Sequence, residues 1–169
     1  MFALITSPRI LVLGLGDVAR GDEGIGVRLA RSLRTVLRDV EVAETKQDLD
    51  YLELFEGYDA LVLLDAIGYS PEVGRILLVS PFSIREMRIP HDVDMDRLTD
   101  ALDAARAYGH RIPRIEIVGI CVSEKAGDTE EMSPELASKY PLVLSRVKGV
   151  VIDLIRDARK RVGWAVSPL

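Results

Sequence analysis

Residues 9–15, RILVLGL, decide the fold class of this chain. They form an apolar run that is too short for a helix and that is ended by Gly14 and Gly16, so they predict a first strand. From Asp22 onward, apolar residues recur with an approximate helical period. A helix is therefore expected to follow the strand after a short glycine-rich turn.

The same alternation of short apolar runs and amphipathic stretches continues along the chain. Further strands are predicted at residues 40–44, 60–66, 75–79 and 114–122. Helices are predicted around residues 52–55, through 95–105, from 133, and from 141 to about 161. This order predicts an α/β fold, a doubly wound three-layer sandwich whose mostly parallel sheet has about five strands, with helices on both faces.

Length and composition indicate one globular domain spanning residues 1–169. Hydrophobic residues make up 48% of the chain and charged residues 29%, which excludes intrinsic disorder, collagen and a coiled-coil rod. The net charge of -5 argues against nucleic-acid binding. No apolar run approaches the ~20 residues of a membrane span, and no signal-peptide core forms before Pro8, so we expect a cytoplasmic protein without membrane insertion.

The turn after the first strand has two interpretations. Its sequence GLGDVA, residues 14–19, fits the G-x-G-x-x-A pattern of dinucleotide-binding folds, with Glu44 as a possible ribose ligand. A phosphate would, however, meet the carboxylates of Asp17, Asp22 and Glu23. We therefore favour a tight turn whose acids bind a cation, and keep a nonenzymatic, Rossmann-like nucleotide- or metal-binding module as the alternative.

Three side chains are candidates for such a cation site. In a doubly wound sheet the first and third strands are expected to be neighbours, and ligands bind at the carboxyl ends of the strands where the winding reverses. Glu23 follows the first strand and Asp65 closes the third, so the two carboxylates can converge. His91, in the long loop after the fourth strand, can add a nitrogen ligand. Such a donor set suits zinc or nickel better than calcium.

Residues 13–27, LGLGDVARGDEGIGV, resemble the signature of the hydrogenase maturation endopeptidases. Further matches are LLDA at 63–66, IPH at 89–91, IVGI at 117–120 and MSPE at 132–135, so that the resemblance covers residues 9–158. The chain departs from the pattern at Asp17, where the family usually has asparagine. This departure concerns the hydrogen bonding of the loop and the choice of precursor, and not the predicted metal ligands.

The resemblance implies an endopeptidase that removes the C-terminal extension of the [NiFe] hydrogenase large-subunit precursor, its protein partner, and so activates that enzyme. It implies Glu23, Asp65 and His91 as metal ligands. The metal would be nickel already loaded in the precursor, for which zinc or cadmium can substitute in vitro. Because the family is grouped with aspartic-type peptidases, Asp22 is the candidate for the carboxylate that activates water.

Simpler explanations exist for each predicted ligand. Glu23 can merely complement the helix dipole, worth about 0.3 to 1 kcal/mol. His91 alone is more often an ordinary loop histidine. An acid such as Asp65 at the end of an apolar strand is harder to dismiss, because burying it is costly unless it is paired or liganded. A cysteine peptidase using Cys121, His91 and Asp65 is a weaker hypothesis, because Cys121 lies in an apolar strand.

Other polar residues are expected to be structural. Asp17 is interpreted as a loop or cap residue, His110 as a surface residue and Cys121 as part of the core. The acidic residues 128–131 are interpreted as a solvated loop, with contact to a basic precursor tail as a weaker hypothesis.

Overall fold

A computed structural model describes residues 7–44, 49–84, 93–123 and 129–164 of the chain. The strands are β1 (Ile10–Gly14), β2 (Glu41–Glu44), β3 (Ala60–Tyr69), β4 (Ile76–Val79) and β5 (Arg114–Val122). The helices are a 3-10 helix (Val18–Gly24), α1 (Ile25–Arg34), α2 (Tyr51–Gly57), α3 (Val93–Tyr108) and α4 (Pro134–Trp164).

The strands form one five-stranded sheet in the order β2-β1-β3-β5-β4. β1 pairs in parallel with β2 and β3, and β3 pairs in parallel with β5, whereas the edge strand β4 is antiparallel to β5. The prediction of a mostly parallel sheet with β1 beside β3 is therefore confirmed. The chain first winds from β1 to β2 and then to β3 on the other side, so the winding reverses between β1 and β3.

Helices cover both faces of the sheet, which confirms the predicted three layers. On one face α1 and α4 pack against alternate strand residues, including Val12, Val62 and Val118. On the other face α2 and α3 pack against the residues between them, including Leu13, Leu63 and Ile117. Successive strand side chains point to opposite faces, so a sheet buried on both faces needs apolar residues at nearly every position.

Two element boundaries near the first loop differ from the prediction. The regular helix begins at Ile25 and not at Asp22, because Gly21 has φ of +58° and interrupts the 3-10 helix before α1. β3 continues to Tyr69 and does not end at residue 66, because its last residues still pair with β5 after β1 has ended. Asp65 therefore lies inside a strand.

The two helices predicted from residues 133 and 141 are one helix, α4, with Pro141 inside it. A proline in a helix interior costs about 3 kcal/mol. Burying one valine gains about 1.5 to 3 kcal/mol, and α4 buries Val143, Val147 and Val151 after the proline. The free energy gained by burying these valines therefore outweighs the cost of the proline.

Across the described ranges, each helix is either too short or too polar to span a lipid bilayer.

Candidate functional site

The loop after β1 brings the start of α1 into direct contact with the backbones of β1 and β3. A Cβ atom added at Gly26 would lie 2.1 Å from the carbonyl oxygen of Leu64 and 2.5 Å from that of Leu15. The Leu15 N–H also donates to the Leu64 carbonyl, with an N···O distance of 2.8 Å. Only glycine permits this approach. The approach also places the 3-10 helix, which directly precedes α1, against β3.

Asp65 lies at the point where the winding of the sheet reverses. The last paired residues of β1 and β3 are Gly14 and Leu64, so Asp65 is the first residue of β3 beyond the end of β1. It pairs with Gly119 of β5 and is fully buried. Its Oδ1 accepts a hydrogen bond from the N–H of Ala66 at 2.8 Å. The burial of Asp65 is consistent with the predicted functional role and not with that of a solvated surface residue.

Glu23 lies in the 3-10 helix, the element that contacts β3. Its side chain keeps 28% of its surface exposed and forms an ion pair of 3.1 Å with Arg20. Glu23 and Asp65 thus occupy two elements in contact at the predicted edge of the sheet. His91 lies outside the described residues, and among those that are described no three His, Cys, Asp or Glu side chains group as a metal site. The three-ligand set stays a prediction.

Asp22 is fully buried, and each of its carboxylate oxygens accepts a hydrogen bond from Ser133. The Ser133 N–H donates to Oδ1 at 2.7 Å, and the Ser133 Oγ–H donates to Oδ2 at 2.7 Å. Ser133 Oγ also accepts from the N–H of Leu136 at 3.3 Å and so caps α4. The sequence predicted a helix from residue 133, but no local pattern indicated the contact of Ser133 with Asp22, 111 residues away.

Asp17 is the N-cap of the 3-10 helix, as interpreted from the sequence. Its Oδ1 accepts from the Ala19 N–H at 2.9 Å. The substitution of aspartate for the usual asparagine therefore leaves a side-chain oxygen able to cap the helix. It also means that a carboxylate occupies the backbone donor that a phosphate would need.

The acidic loop packs against the 3-10 helix through its backbone. A Cβ atom at Gly21 would lie 2.9 Å from the carbonyl oxygen of Glu131 and 3.2 Å from that of Thr129. The Arg28 guanidinium donates to the carbonyls of Val18 and Glu130. Residues 129–131 are themselves exposed, as expected for a solvated loop, and residue 128 lies outside the described ranges.

Three further residues considered from the sequence have contacts or locations that a structural role explains. Glu44, the possible ribose ligand, forms a two-point ion pair with Arg31 with N···O distances of 2.6 and 3.2 Å, and this pair raises the pKa of Arg31. Cys121 is buried, as predicted, and burial raises the pKa of its thiol. His110 is exposed, with its Nδ1 3.4 Å from a carboxylate oxygen of Glu56.

Two sequence relatives are named as hydrogenase expression/formation protein HupD. The protein from Rhizobium leguminosarum bv. viciae is 28% identical over 119 residues, which is 67% of this chain and 59% of the relative. The protein from Bradyrhizobium diazoefficiens is 39% identical over 75 residues, 42% of this chain and 39% of the relative. The chain thus matches less than two thirds of either relative, and no family model matches it.

Solved structures share the fold. The hydrogenase maturating endopeptidase HybD from E. coli superposes with a TM-score of 0.68 at 24% identity, covering 86% of this chain and 93% of that one. An endopeptidase from Escherichia coli gives a TM-score of 0.64 at 26% identity, covering 82% and 89%. The [NiFe] hydrogenase maturation protease HybD from Thermococcus kodakarensis gives 0.63 at 20%, covering 84% and 98%. Together with the sequence relatives, these proteins confirm the resemblance identified from the signature.

Proposed function

We propose that this chain, a relative of the hydrogenase maturation endopeptidases, removes the C-terminal extension of a nickel-loaded [NiFe] hydrogenase large-subunit precursor. The observation that carries the proposal is the fully buried Asp65 at the reversal of the sheet winding, beside the 3-10 helix that holds Glu23. The names of the sequence relatives, which concern hydrogenase expression and formation, support the same process.

Glu23, Asp65 and His91 are proposed to bind the nickel that the precursor brings with it. Two carboxylates at one edge of a sheet repel each other, and a divalent cation between them replaces that repulsion by attraction. A histidine nitrogen beside two carboxylates favours a transition metal over calcium. Binding the nickel through these side chains would anchor the precursor with its C-terminal extension next to the site.

Hydrolysis of the peptide bond requires an activated water and a proton for the leaving amine. Asp22, next to Glu23, is the proposed water-activating carboxylate. Each of its oxygens accepts one hydrogen bond from Ser133 and keeps a second lone pair that can take a proton from water. An Asp22→Asn variant that processes nickel-loaded precursor at the wild-type rate would remove this role.

The nickel can either polarise the scissile carbonyl or serve only to anchor the precursor. These roles differ in kinetics, because a group that acts only in binding alters KM and leaves kcat unchanged. Replacing nickel in the precursor by zinc and measuring kcat and KM separately tells the two apart.

The nucleotide-binding alternative requires that backbone N–H groups of the turn be free for a phosphate and that Glu44 be free for a ribose. Asp17 caps the 3-10 helix and Glu44 is bound by Arg31, so the phosphate and ribose positions of a dinucleotide fold are both taken by side-chain contacts. We therefore expect NAD and ATP to leave the melting temperature unchanged. A rise that saturates with nucleotide concentration would favour this alternative.

The decisive experiment is calorimetric titration of cadmium, zinc or nickel into the wild type and the variants Glu23→Gln, Asp65→Asn and His91→Ala. We expect each variant to lose at least about tenfold in affinity, because each removes one ligand. His110→Ala is the matched control, since it removes the other histidine of the chain, which is exposed. Equal affinity in all variants would refute the ligand set, and an intact tail on nickel-loaded precursor would refute the peptidase.

A further inference from the structure

The 3-10 helix is tied to the start of α4 by the two hydrogen bonds between Ser133 and Asp22, here called the Ser133–Asp22 contact. Both have donor–acceptor distances of 2.7 Å, and the carboxylate that accepts them is fully buried. A hydrogen bond to a charged group away from water is among the stronger ones in proteins. This contact therefore fixes the 3-10 helix relative to α4.

The Ser133 hydroxyl is used in two directions at once. Its single proton goes to Asp22 Oδ2, while its oxygen accepts the N–H of Leu136 in the first turn of α4. The hydroxyl thus caps one helix and holds the other. Alanine at this position would keep the backbone donor to Asp22 Oδ1 but would lose both roles of the side chain.

Further contacts near this point, from the 3-10 helix and from α1, use backbone acceptors. The carbonyls of Thr129 and Glu131 pack over Gly21, and Arg28 donates to the carbonyl of Glu130. These contacts do not depend on which side chains residues 129–131 carry. Among the described residues of this segment, Ser133 is the one whose side chain donates to Asp22.

We propose that Ser133 is a positioning residue that holds Glu23 in its metal-binding place through Asp22. Glu23 directly follows Asp22 in the 3-10 helix. Its own ion pair joins it to Arg20, whose side chain is 59% exposed, and such surface pairs hold a side chain weakly. The orientation of Glu23 thus depends on the buried neighbour that Ser133 fixes. The inference rests on the proposed function only in taking Glu23 as a metal ligand.

The test compares Ser133→Ala with Ser133→Thr, which keeps a hydroxyl, and with Asp50→Ala as the matched control. Asp50 caps α2 by accepting from the N–H groups of Leu52 and Glu53, so its loss removes a helix cap far along the chain from the 3-10 helix. Two readouts are measured on the full chain: amide hydrogen exchange at Arg20 and Ile25, whose N–H groups donate to the carbonyls of Asp17 and Asp22, and cadmium affinity by calorimetry.

We expect Ser133→Ala to speed exchange at both amides at least about tenfold and to weaken cadmium binding by about 10- to 100-fold, the usual range for residues that orient a metal ligand. Ser133→Thr should restore both readouts to within about threefold of the wild type. Asp50→Ala should leave both unchanged.

Wild-type exchange in Ser133→Ala, or equal effects of Ser133→Ala and Asp50→Ala, would overturn the inference. So would a Ser133→Ala variant with full cadmium affinity when Glu23→Gln has lost it. Full affinity in Glu23→Gln would instead overturn the proposed ligand set, and the exchange comparison would still decide whether Ser133 holds the 3-10 helix.

Discussion

Gly26→Ala tests whether the close approach of α1 to β3 is what positions the site. The added Cβ would lie 2.1 Å from the carbonyl oxygen of Leu64, where ordinary contact begins at 3.4 Å, so the helix must move by about 1.3 Å. The opposing atoms belong to the backbones of β3 and of the residue after β1, and cannot rotate away as a side chain would. The helix, and with it the 3-10 helix and Glu23, must move instead.

The expected cost is large for the addition of one methyl group. Overpacking of a well-packed core costs about 1 to 3 kcal/mol, and because the clash is with backbone we expect the upper half of that range. A displacement of about 1 Å at a site can reduce activity by about 100-fold. We therefore expect the free energy of unfolding to fall by about 2 to 3 kcal/mol and precursor processing to fall much further than the folded fraction.

Urea unfolding followed by circular dichroism measures the first quantity, and cleavage of nickel-loaded precursor measures the second. Gly149→Ala is the matched control, because Gly149 is an exposed residue of α4 whose Cβ would meet nothing within 4 Å. That variant should be more stable by about 0.5 to 1 kcal/mol. A Gly26→Ala protein that unfolds like the wild type would refute the argument from close packing.

Two further predictions concern groups away from the proposed ligands. Cys121→Ala should leave processing within about twofold of the wild type, and the native thiol should react slowly with Ellman's reagent at neutral pH, because burial raises its pKa and hides it; loss of cleavage in this variant would revive the cysteine-peptidase hypothesis. Asp59→Asn should cost about 1 kcal/mol at pH 7, because hydrogen bonds from the Arg111 guanidinium and the Arg9 N–H lower the pKa of Asp59. This stabilisation is fully present above the ordinary pKa of 3.8 and is lost as the pH falls through the lowered pKa of the folded state. The difference from the wild type should therefore shrink as the pH of a urea series is lowered below 3.8; a difference that stays constant would contradict this origin.

Local patterns were enough to predict the sheet and its layers. The apolar run at residues 114–122 matches β5 in full, because a strand buried on both faces needs nearly continuous apolar residues. The adjacency of β1 and β3 followed from the usual winding of such sheets, and it put the end of β1 beside Asp65. The position of Asp65 next to the end of β1 could therefore be predicted from the sequence, because it depends only on the order of the strands.

The missed features depend on contacts between distant segments. The late start of α1 follows from the positive φ of Gly21, which packs against residues 129–131. The continuity of α4 across Pro141 follows from the burial of its later valines against the sheet. The bonds from Ser133 to Asp22 join two segments whose own sequences each predict only the start of a helix. None of these has a local pattern that would reveal it.

The glycines and acids of the first loop have a common physical explanation. In a dinucleotide-binding turn, glycines expose backbone N–H groups so that a phosphate can approach the helix N-terminus. Here Gly26 lets α1 close against the backbones of β1 and β3, while the carboxylate of Asp17 accepts the N–H of Ala19 in the first turn of the 3-10 helix. A backbone N–H that could bind a phosphate is therefore already bonded to an anion of the protein itself, the Asp17 carboxylate. Glu23 of this loop and Asp65 of β3 add two carboxylates at the sheet edge, and this is why we propose a cation as the complementary partner.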